Sequence, residues 1–229
     1  MPDSSRVAYL GQVVHREVDE YGPIDVVDEN DGRLHSLQFG SSARQSTMFV
    51  NRPDELALEY TRCMMTALLF LNADPERVLM LGLGGGSLVK FLLRWCSGCA
   101  MDVAELRASV VEVAQSYFAL PDTHQRLHVH VGDGSSFIQQ TPPTPWDLVL
   151  LDLHTSEGMS PVVLAHDFLP ACRRHTAAAG ASRRRHRDPH GAARREVLRP
   201  VQSHETPRPR GQRMGEPTHA ASAGSSRRI

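Results

Sequence analysis

The chain has 229 residues, with 25 basic and 26 acidic side chains and a formal net charge of −1. It has no run of about 18 apolar residues and no basic stretch followed by an apolar run at its start, so we expect neither a membrane-spanning helix nor a secretory signal. Its 4 cysteines are too few and too scattered for a disulfide scaffold, which favours a reducing, cytoplasmic location.

The near-zero charge combines two oppositely charged parts. Residues 1–172 carry 11 basic and 22 acidic groups, whereas residues 173–229 carry 14 basic and 4 acidic groups. Every Phe, Trp and Tyr lies at or before Phe168. Because the basic part has few large apolar side chains to bury, we predict that residues 173–229 are disordered.

Two hypotheses account for this Arg-, Ala- and Pro-rich tail. A basic disordered tail can bind nucleic acid by releasing counterions from the phosphates. Alternatively, GC-rich DNA read out of frame encodes such a mixture, which would make the chain a truncated product. We favour the second hypothesis, because the composition changes inside a predicted amphipathic helix, Val162 to Arg174, rather than at a linker. The net negative charge of residues 1–172, the acidic body of the chain, also argues against binding to nucleic acid.

Residues 1–52 are predicted to form a small antiparallel β-domain. Four short segments alternate or run apolar, at residues 7–10, 12–15, 24–27 and 34–39. Turn residues separate them, and the Asp31-Gly32 pair is a strong hairpin signal. After Pro53, apolar residues recur at helical spacing, which predicts a helix over residues 53–72.

Residues 53–172 are predicted to form a doubly wound, Rossmann-like α/β domain. Four short apolar segments indicate parallel strands, at residues 77–81, 101–106, 127–131 and 146–152. Helical segments at residues 88–95 and 108–120 separate the first three. Alternation of strands and helices with short loops implies right-handed crossovers. We expect this domain to be incomplete, because three further strands normally follow the fourth.

A Gly-rich loop, Gly82 to Ser87, joins the first of these strands to the following helix. Unpaired backbone N–H groups at a helix N-terminus face a ligand there, and glycines allow it to approach closely. The loop lacks the Gly-Lys-Ser/Thr of a P-loop, which argues against hydrolysis of nucleoside triphosphates. The alternative is a tight turn that serves only helix–sheet packing.

Three acidic residues, Glu105, Asp133 and Asp152, lie at the carboxyl ends of successive predicted strands. Open α/β sheets bind ligands at that edge, and an acid about 20 residues past the Gly-rich loop accepts hydrogen bonds from ribose hydroxyls. Glu105 has this spacing, while Asp133 is placed to accept from an adenine amino group. The alternative for each acid taken alone is a helix N-cap.

With these elements the sequence resembles the spermidine synthase family of aminopropyltransferases and its methyltransferase-like relatives. The resemblance covers roughly residues 7–172 and is carried by VLMLGLGGGSL (78–88), AELRASVVEVAQSYFALP (104–121), LHVHVGDG (127–134) and WDLVLLDLHTSEGMSP (146–161). It implies a transferase of polyamine biosynthesis that uses decarboxylated S-adenosylmethionine and a small amine such as putrescine. It further implies a cytoplasmic protein able to form a homodimer, with neither a metal ion nor a membrane partner.

The resemblance also implies roles for individual residues. Six residues would bind the adenosyl ligand: Gln45, Gly82, Gly84, Glu105, Asp133 and Gly134. Asp152 would be the catalytic residue that takes a proton from the attacking amine. Tyr60 and Thr155 occupy positions where the family binds its amine substrate.

The sequence differs from the family at three positions where family members have acidic residues that bind the polyamine. The acid of the family's Gly-rich loop falls on Gly85, the second acid of its Asp-x-x-Asp falls on Thr155, and its Tyr-His-Glu is Tyr60-Thr61-Arg62 here. Loss of the loop acid removes like-charge repulsion against the carboxylate of ordinary S-adenosylmethionine. A methyltransferase of the same fold is therefore one alternative, and an inactive truncated product or a basic-tailed nucleic-acid binder is another.

Other polar residues have simpler interpretations. His154, two residues past Asp152, either tunes the site or is an exposed loop histidine. His128 and His130 alternate on one strand, which is more typical of its polar face than of a metal site. Cys96 and Cys99 have no second pair and are interpreted as packing or turn residues.

Overall fold

The computed structural model describes residues 8–139, 145–155 and 158–177. These residues form an antiparallel sheet followed by a parallel sheet with helices, so the predicted fold class is confirmed. No helix in these ranges is both long and apolar enough to cross a membrane. The predicted disorder is wrong for residues 173–177, because a helix that ends at Arg174 and backbone hydrogen bonds to Trp146 order them. The rest of the predicted tail, from position 178 onward, lies outside the described residues, and the predicted domain boundaries stay predictions.

The antiparallel sheet contains four strands in sequence order. They are β1 (Gln12–Asp19), β2 (Gly22–Glu29), β3 (Leu34–Gln38) and β4 (Arg44–Phe49). Asn30, Asp31 and Gly32 join β2 to β3 with positive φ angles of 53°, 54° and 77°. The predicted hairpin at Asp31-Gly32 is confirmed, because these residue types tolerate the left-handed region.

Two features of this sheet differ from the sequence prediction. Residues 8–10 form no strand, and the Tyr9 hydroxyl instead donates a hydrogen bond to Asp25 on β2. Strand β4 was not predicted, because its sequence is polar. Its buried hydroxyls are nevertheless partnered, since Thr47 Oγ1 lies 3.1 Å from Ser36 Oγ and Ser46 Oγ lies 3.2 Å from Ser87 Oγ.

The parallel sheet has the strand order β7-β6-β5-β8. Its strands are β5 (Arg77–Leu81), β6 (Ala100–Glu105), β7 (Leu127–Val131) and β8 (Leu148–Leu151). The connecting helices are α2 (Ser87–Trp95), α3 (Ala108–Tyr117) and α4 (Gly134–Ile138). The chain leaves β5 toward β6 and later returns to pair β8 on the other side, so the carboxyl ends of β5 and β8 form a topological switch point.

Within the part of the chain that the structure describes, two apolar clusters hold these layers together. One contains Leu79 and Leu81 of β5, which pack with Ile138, Trp146 and Phe168. The other joins the antiparallel sheet to α3, since its members come from β2, β3, β4, α3 and the residue after α3: Ile24, Val26, Leu37, Met48, Val110, Val113 and Phe118. The shared helix positions the antiparallel sheet beside the Gly-rich loop.

Two predicted helices are shorter than their sequence pattern. The helix expected over residues 53–72 is α1 (Glu59–Met65) followed by a 3₁₀ turn, Thr66–Phe70. The helix expected from Val162 is a 3₁₀ turn, Pro161–Leu164, separated from α5 (Phe168–Arg174). Pro170 explains the second difference, because proline has no N–H for a continuous helix and fits only its first turn.

The last described residues return to the sheet beside β8. The Trp146 N–H donates to the His175 carbonyl at 3.1 Å, and the Ala177 N–H donates to the Trp146 carbonyl at 2.8 Å. Thr176 thereby forms a parallel bridge with Trp146. A small hairpin, β9 (His154–Thr155) with β10 (Gly158–Met159), follows β8 at the carboxyl edge.

Candidate ligand-binding site

The Gly-rich loop is built from left-handed backbone that favours glycine. Gly82, Gly84 and Gly86 have φ angles of 92°, 54° and 68°. A Cβ on Gly82 would lie 2.2 Å from the carbonyl oxygen of Asp152, so no larger residue fits between β5 and β8. The glycine at this position therefore packs two strand ends together and leaves backbone exposed to a ligand.

Glu105 ends β6 directly beneath this loop. Its carboxylate accepts hydrogen bonds from the Leu83 N–H at 2.8 Å and the Arg107 N–H at 3.0 Å. Burial raises the pKa of Glu105 above its usual value, and the hydrogen bonds from these backbone N–H groups oppose that shift. The loop and the carboxylate thus hold each other in place at the floor of the site.

Asp133 follows β7 and caps α4. Its carboxylate accepts from the backbone N–H groups of Ser135 and Ser136 at 3.2 and 2.9 Å, and from both hydroxyls. Burial alone would raise the pKa of Asp133, but these hydrogen bonds outweigh it and hold the pKa below its ordinary value. The N-cap interpretation is therefore confirmed, and the same side chain also lines the cavity described below.

Asp152 lies directly after β8, at the switch point. Its N–H donates to the Leu81 carbonyl at 2.9 Å, which continues the pairing of β8 with β5. The Tyr60 hydroxyl donates to Asp152 Oδ2 at 3.3 Å, and His154 Nδ1 lies 3.1 Å from Oδ1. Burial and the Asp152 carboxylate both raise the pKa of Tyr60, which therefore stays protonated at neutral pH.

Gln45 and Thr155 connect the antiparallel sheet with the hairpin after β8. The Gln45 side-chain amide donates to the Thr155 carbonyl at 3.4 Å, and the Tyr60 hydroxyl lies 3.4 Å from the Gln45 carbonyl oxygen. The Thr155 hydroxyl donates to the Gly158 carbonyl at 3.3 Å. These contacts bring residues that are 110 positions apart to one side of the site.

A cavity of about 350 Å³ lies at this carboxyl edge, a size suited to a small organic ligand. Eight of the nine predicted site residues line it: Gln45, Gly82, Gly84, Glu105, Asp133, Gly134, Asp152 and Thr155. The ninth, Tyr60, reaches it through its contact with Asp152. Within the described ranges, no three His, Cys, Asp or Glu side chains are placed to hold a metal ion.

The cavity also has lining residues that sequence reasoning missed. Tyr21 and Phe39 come from turns of the antiparallel sheet, and Arg107 follows Glu105 by two residues. Arg107 is buried and donates two hydrogen bonds to Asp19 at 2.8 and 2.9 Å, with its guanidinium carbon 4.6 Å from the centre of the Phe39 ring. Two sequence features could have indicated these residues: the Glu-Tyr-Gly-Pro turn that contains Tyr21, and the two-residue spacing from Glu105 to Arg107. Neither feature is a recognised motif.

Position 85, where the family has an acid, is closed in this structure. A Cβ on Gly85 would lie 2.7 Å from Phe118 Cδ1 and 2.8 Å from Ser46 Oγ. Behind the loop, the buried ammonium group of Lys90 donates to the Gly85 carbonyl at 3.2 Å and to the Phe118 carbonyl. The substitution at position 85 is thus accompanied by packing that fills the space of a side chain.

Fold and site together define a Rossmann-like protein whose ligand cavity lies at the carboxyl ends of its parallel strands. Residues 57–181 match the spermine/spermidine synthase domain, which is more than half of the chain. The chain belongs to this family, and the resemblance seen in its sequence is confirmed.

Individual relatives agree with this membership. A polyamine aminopropyltransferase of Neisseria meningitidis serogroup A is 29% identical over 143 residues, which cover 62% of this chain and 54% of the relative. The chain thus spans about half the length of that relative.

Solved structures show the same fold. A probable spermidine synthase from Corynebacterium glutamicum superposes with a TM-score of 0.63 at 18% identity, over 72% of this chain and 61% of that one. A spermidine synthase in complex with the transition-state analogue AdoDATO has a TM-score of 0.58 at 19% identity, over 72% and 55%.

Proposed function

We propose that this chain is an aminopropyltransferase of polyamine biosynthesis, which moves the aminopropyl group of decarboxylated S-adenosylmethionine to a small amine such as putrescine. The observation that carries the proposal is the position of Asp152, which shares a cavity with the Gly-rich loop and accepts a hydrogen bond from Tyr60. Membership of the family over residues 57–181 supports it. The activity named for the Neisseria relative points the same way.

In this proposal the adenosyl ligand lies along the carboxyl ends of β5, β6 and β7. Glu105 accepts hydrogen bonds from the ribose hydroxyls, and Asp133 faces the adenine. Support comes from the shared cavity, which all six residues assigned to the ligand line: Gln45, Gly82, Gly84, Glu105, Asp133 and Gly134. The open backbone of the loop allows the close approach that such a ligand needs.

The reaction requires a neutral amine, because a protonated amine has no lone pair. Asp152 draws this proton away, directly or through a neighbouring side chain, and the amine then attacks the carbon bonded to the sulfonium. Tyr60 and Thr155 border the space where the amine would lie. Rate enhancement then comes mainly from holding both reactants in line.

Methyl transfer from ordinary S-adenosylmethionine is the second candidate, and Gly85 favours it. The family's acid at this position cannot be accommodated beside Phe118 and Ser46. Without that acid in the Gly-rich loop, the carboxylate of ordinary S-adenosylmethionine meets less like-charge repulsion. The two candidates use the same cavity and the same nucleophilic displacement.

Calorimetric titration of the full chain separates these candidates. We expect decarboxylated S-adenosylmethionine and methylthioadenosine to bind, and ordinary S-adenosylmethionine to bind more weakly. Tighter binding of ordinary S-adenosylmethionine would favour methyl transfer. Absence of binding by all three at about 1 mM would contradict both candidates and favour an inactive product.

A matched pair of variants locates the ligand. Glu105→Gln removes a charged acceptor from the floor of the cavity and should weaken methylthioadenosine binding about 10-fold or more. Glu112→Gln makes the same chemical change at an exposed position of α3 and should leave the affinity unchanged. Equal affinities in both variants would place the ligand elsewhere. The predicted homodimer and the cytoplasmic location stay predictions.

A further inference from the structure

The two residues that follow β8 place an imidazole against the Asp152 carboxylate. His154 Nδ1 lies 3.1 Å from Asp152 Oδ1, while Tyr60 donates to Oδ2 at 3.3 Å. Oδ2 thus accepts a hydrogen bond, whereas the buried Oδ1 has the imidazole nitrogen beside it and accepts no aligned hydrogen bond from the described residues. The Asp152 side chain is 12% exposed, whereas that of His154 is 39% exposed, and both line the cavity.

We propose that His154 is the catalytic base of this site and that Asp152 is a positioning residue that holds its imidazole. The inference rests on the proposed function, transfer of an alkyl group from a sulfonium to an amine. Because Nδ1 faces the carboxylate, it carries the ring proton in the neutral imidazole. Nε2 then keeps the lone pair that can accept a proton from the substrate.

The proton and electrons balance in two steps. First, the substrate ammonium gives a proton to Nε2 of His154, which yields a neutral amine and an imidazolium stabilised by Asp152. The amine lone pair then forms a bond to the carbon on sulfur, the C–S bond breaks, and its electron pair stays on sulfur as a neutral thioether. The alkylated amine carries the positive charge, and His154 later releases its proton to solvent.

Basicity makes the imidazole a better acceptor than the carboxylate. An amine of ordinary pKa gives up its proton more readily to a base whose own pKa is near neutral than to one near 4. The neighbouring Asp152 carboxylate raises the pKa of His154, and partial burial opposes that shift. Among the described residues, the titratable groups that face His154 are Asp152 beside it and Tyr60 on α1, whose ring centre is 6.1 Å away.

The test uses transfer assays with the full chain, decarboxylated S-adenosylmethionine and putrescine. His154→Gln should lower kcat about 100-fold or more near pH 7, with KM for both substrates changed less than about threefold. Imidazole added to His154→Gly should restore part of the rate. His166→Gln is the matched control, because His166 is 98% exposed and lies outside the cavity.

The pH profile separates a base from a merely structural residue. His154 must be neutral to accept a proton, so the wild-type rate should fall as the pH drops through its raised pKa. Asp152→Asn removes the cause of that shift and should move the acid limb to lower pH. If His154→Gln kept most of the rate, with an acid limb in the carboxylate range, Asp152 would be the base and the proposal would be overturned.

A second readout remains informative if no transfer occurs. A wild-type chain that binds methylthioadenosine yet transfers nothing would contradict the proposed function rather than the pairing of the two residues. NMR titration of His154 then decides the pairing, because its pKa should fall in Asp152→Asn relative to the wild type. An unchanged titration would overturn the His154–Asp152 pair itself.

Discussion

Gly85 is packed too closely to carry a side chain. Its backbone conformation is ordinary, but a Cβ would lie 2.7 Å from Phe118 and 2.8 Å from Ser46. We expect Gly85→Ala to destabilise the chain by about 1–3 kcal/mol, the usual cost of overpacking. Gly98→Ala is the control, because nothing lies within 4 Å of its Cβ position.

Urea unfolding of both glycine variants measures this difference. We expect Gly98→Ala to stay within about 0.5 kcal/mol of the wild type. A smaller residue at position 118, as in Phe118→Leu, should recover part of the stability that Gly85→Ala loses. Equal stabilities of the two glycine variants would show that the loop has room for an acid after all.

Lys90, the one lysine in the sequence, is buried behind the loop. Burial lowers the pKa of its ammonium group to about 8. Between about pH 8 and the unfolded value near 10.4, the unfolded chain binds a proton that the folded chain has lost, so stability should rise with pH by about 3 kcal/mol. Comparing Lys90→Met with the wild type isolates this contribution, since the variant should lack the rise.

Urea midpoints at pH 7.5 and 10 provide the measurement. Other groups that titrate in this range contribute equally to both proteins and cancel in the comparison. If the two proteins showed the same dependence on pH, the Lys90 ammonium would not be desolvated.

Functional residues could be predicted from the sequence where they follow a predicted strand. They were missed where their position depends on burial against residues that are distant in the sequence. Glu105 and Asp152 follow apolar strands, and parallel strands bring their carboxyl ends to one edge. Lys90 and Arg107 gave no such signal, because their burial depends on residues from the other sheet, Met48 and Asp19. Local sequence does not contain that contact.

One ion pair ties the β1–β2 hairpin to the start of α3. Arg107 precedes α3 and donates to both oxygens of Asp19 and to the Gly22 carbonyl. Burial alone would raise the pKa of Asp19, but hydrogen bonds from Arg107 and the Tyr21 N–H outweigh it and lower that pKa. Because the arginine is buried, this pair should contribute more than a surface ion pair does.

Arg107→Met should therefore destabilise the chain by about 3 kcal/mol, since it leaves the Asp19 carboxylate without its charged partner. Arg94→Met is the matched control, because the Arg94–Asp54 pair is exposed and should be worth less than about 1 kcal/mol. Thermal melts of both variants give the comparison. A loss no larger for Arg107→Met would mean that the hairpin is held by apolar packing alone.

The strands and helices predicted correctly are those whose own residues show the full hydrophobic pattern of that element. Strands β5, β6 and β7 are short apolar runs and lie where predicted, within a residue or two at their ends. Strand β4 was missed because its buried hydroxyls find partners only on β3 and α2. The helix expected over residues 53–72 begins only at Glu59, and the Arg62 side chain donates to the Leu56 carbonyl ahead of it.

The whole chain joins an acidic body to an Arg-rich segment that contributes no described residue to the cavity. We therefore expect a chain that ends at Ala177 to bind methylthioadenosine with an affinity within about twofold of the full chain. Calorimetry on the two chains measures this. A loss of more than about tenfold would place part of the binding site in the Arg-rich segment.

The same two chains test the nucleic-acid alternative. Counterion release predicts that any binding of DNA by the full chain weakens steeply with salt and disappears when residues 178–229 are removed. Fluorescence anisotropy with a labelled duplex at two salt concentrations provides the measurement. Binding that persists in the shorter chain would contradict the prediction that residues 178–229 bind the DNA.

We propose above that the cavity at the carboxyl edge binds the reactants for transfer of an aminopropyl group. The most direct test incubates the full chain with decarboxylated S-adenosylmethionine and putrescine and follows the products by mass spectrometry. We predict equal amounts of spermidine and methylthioadenosine from the wild type, and at least about 100-fold slower formation by Asp152→Asn. Absence of both products from a chain that binds methylthioadenosine, or methylation of the amine when ordinary S-adenosylmethionine is supplied instead, would contradict the claim.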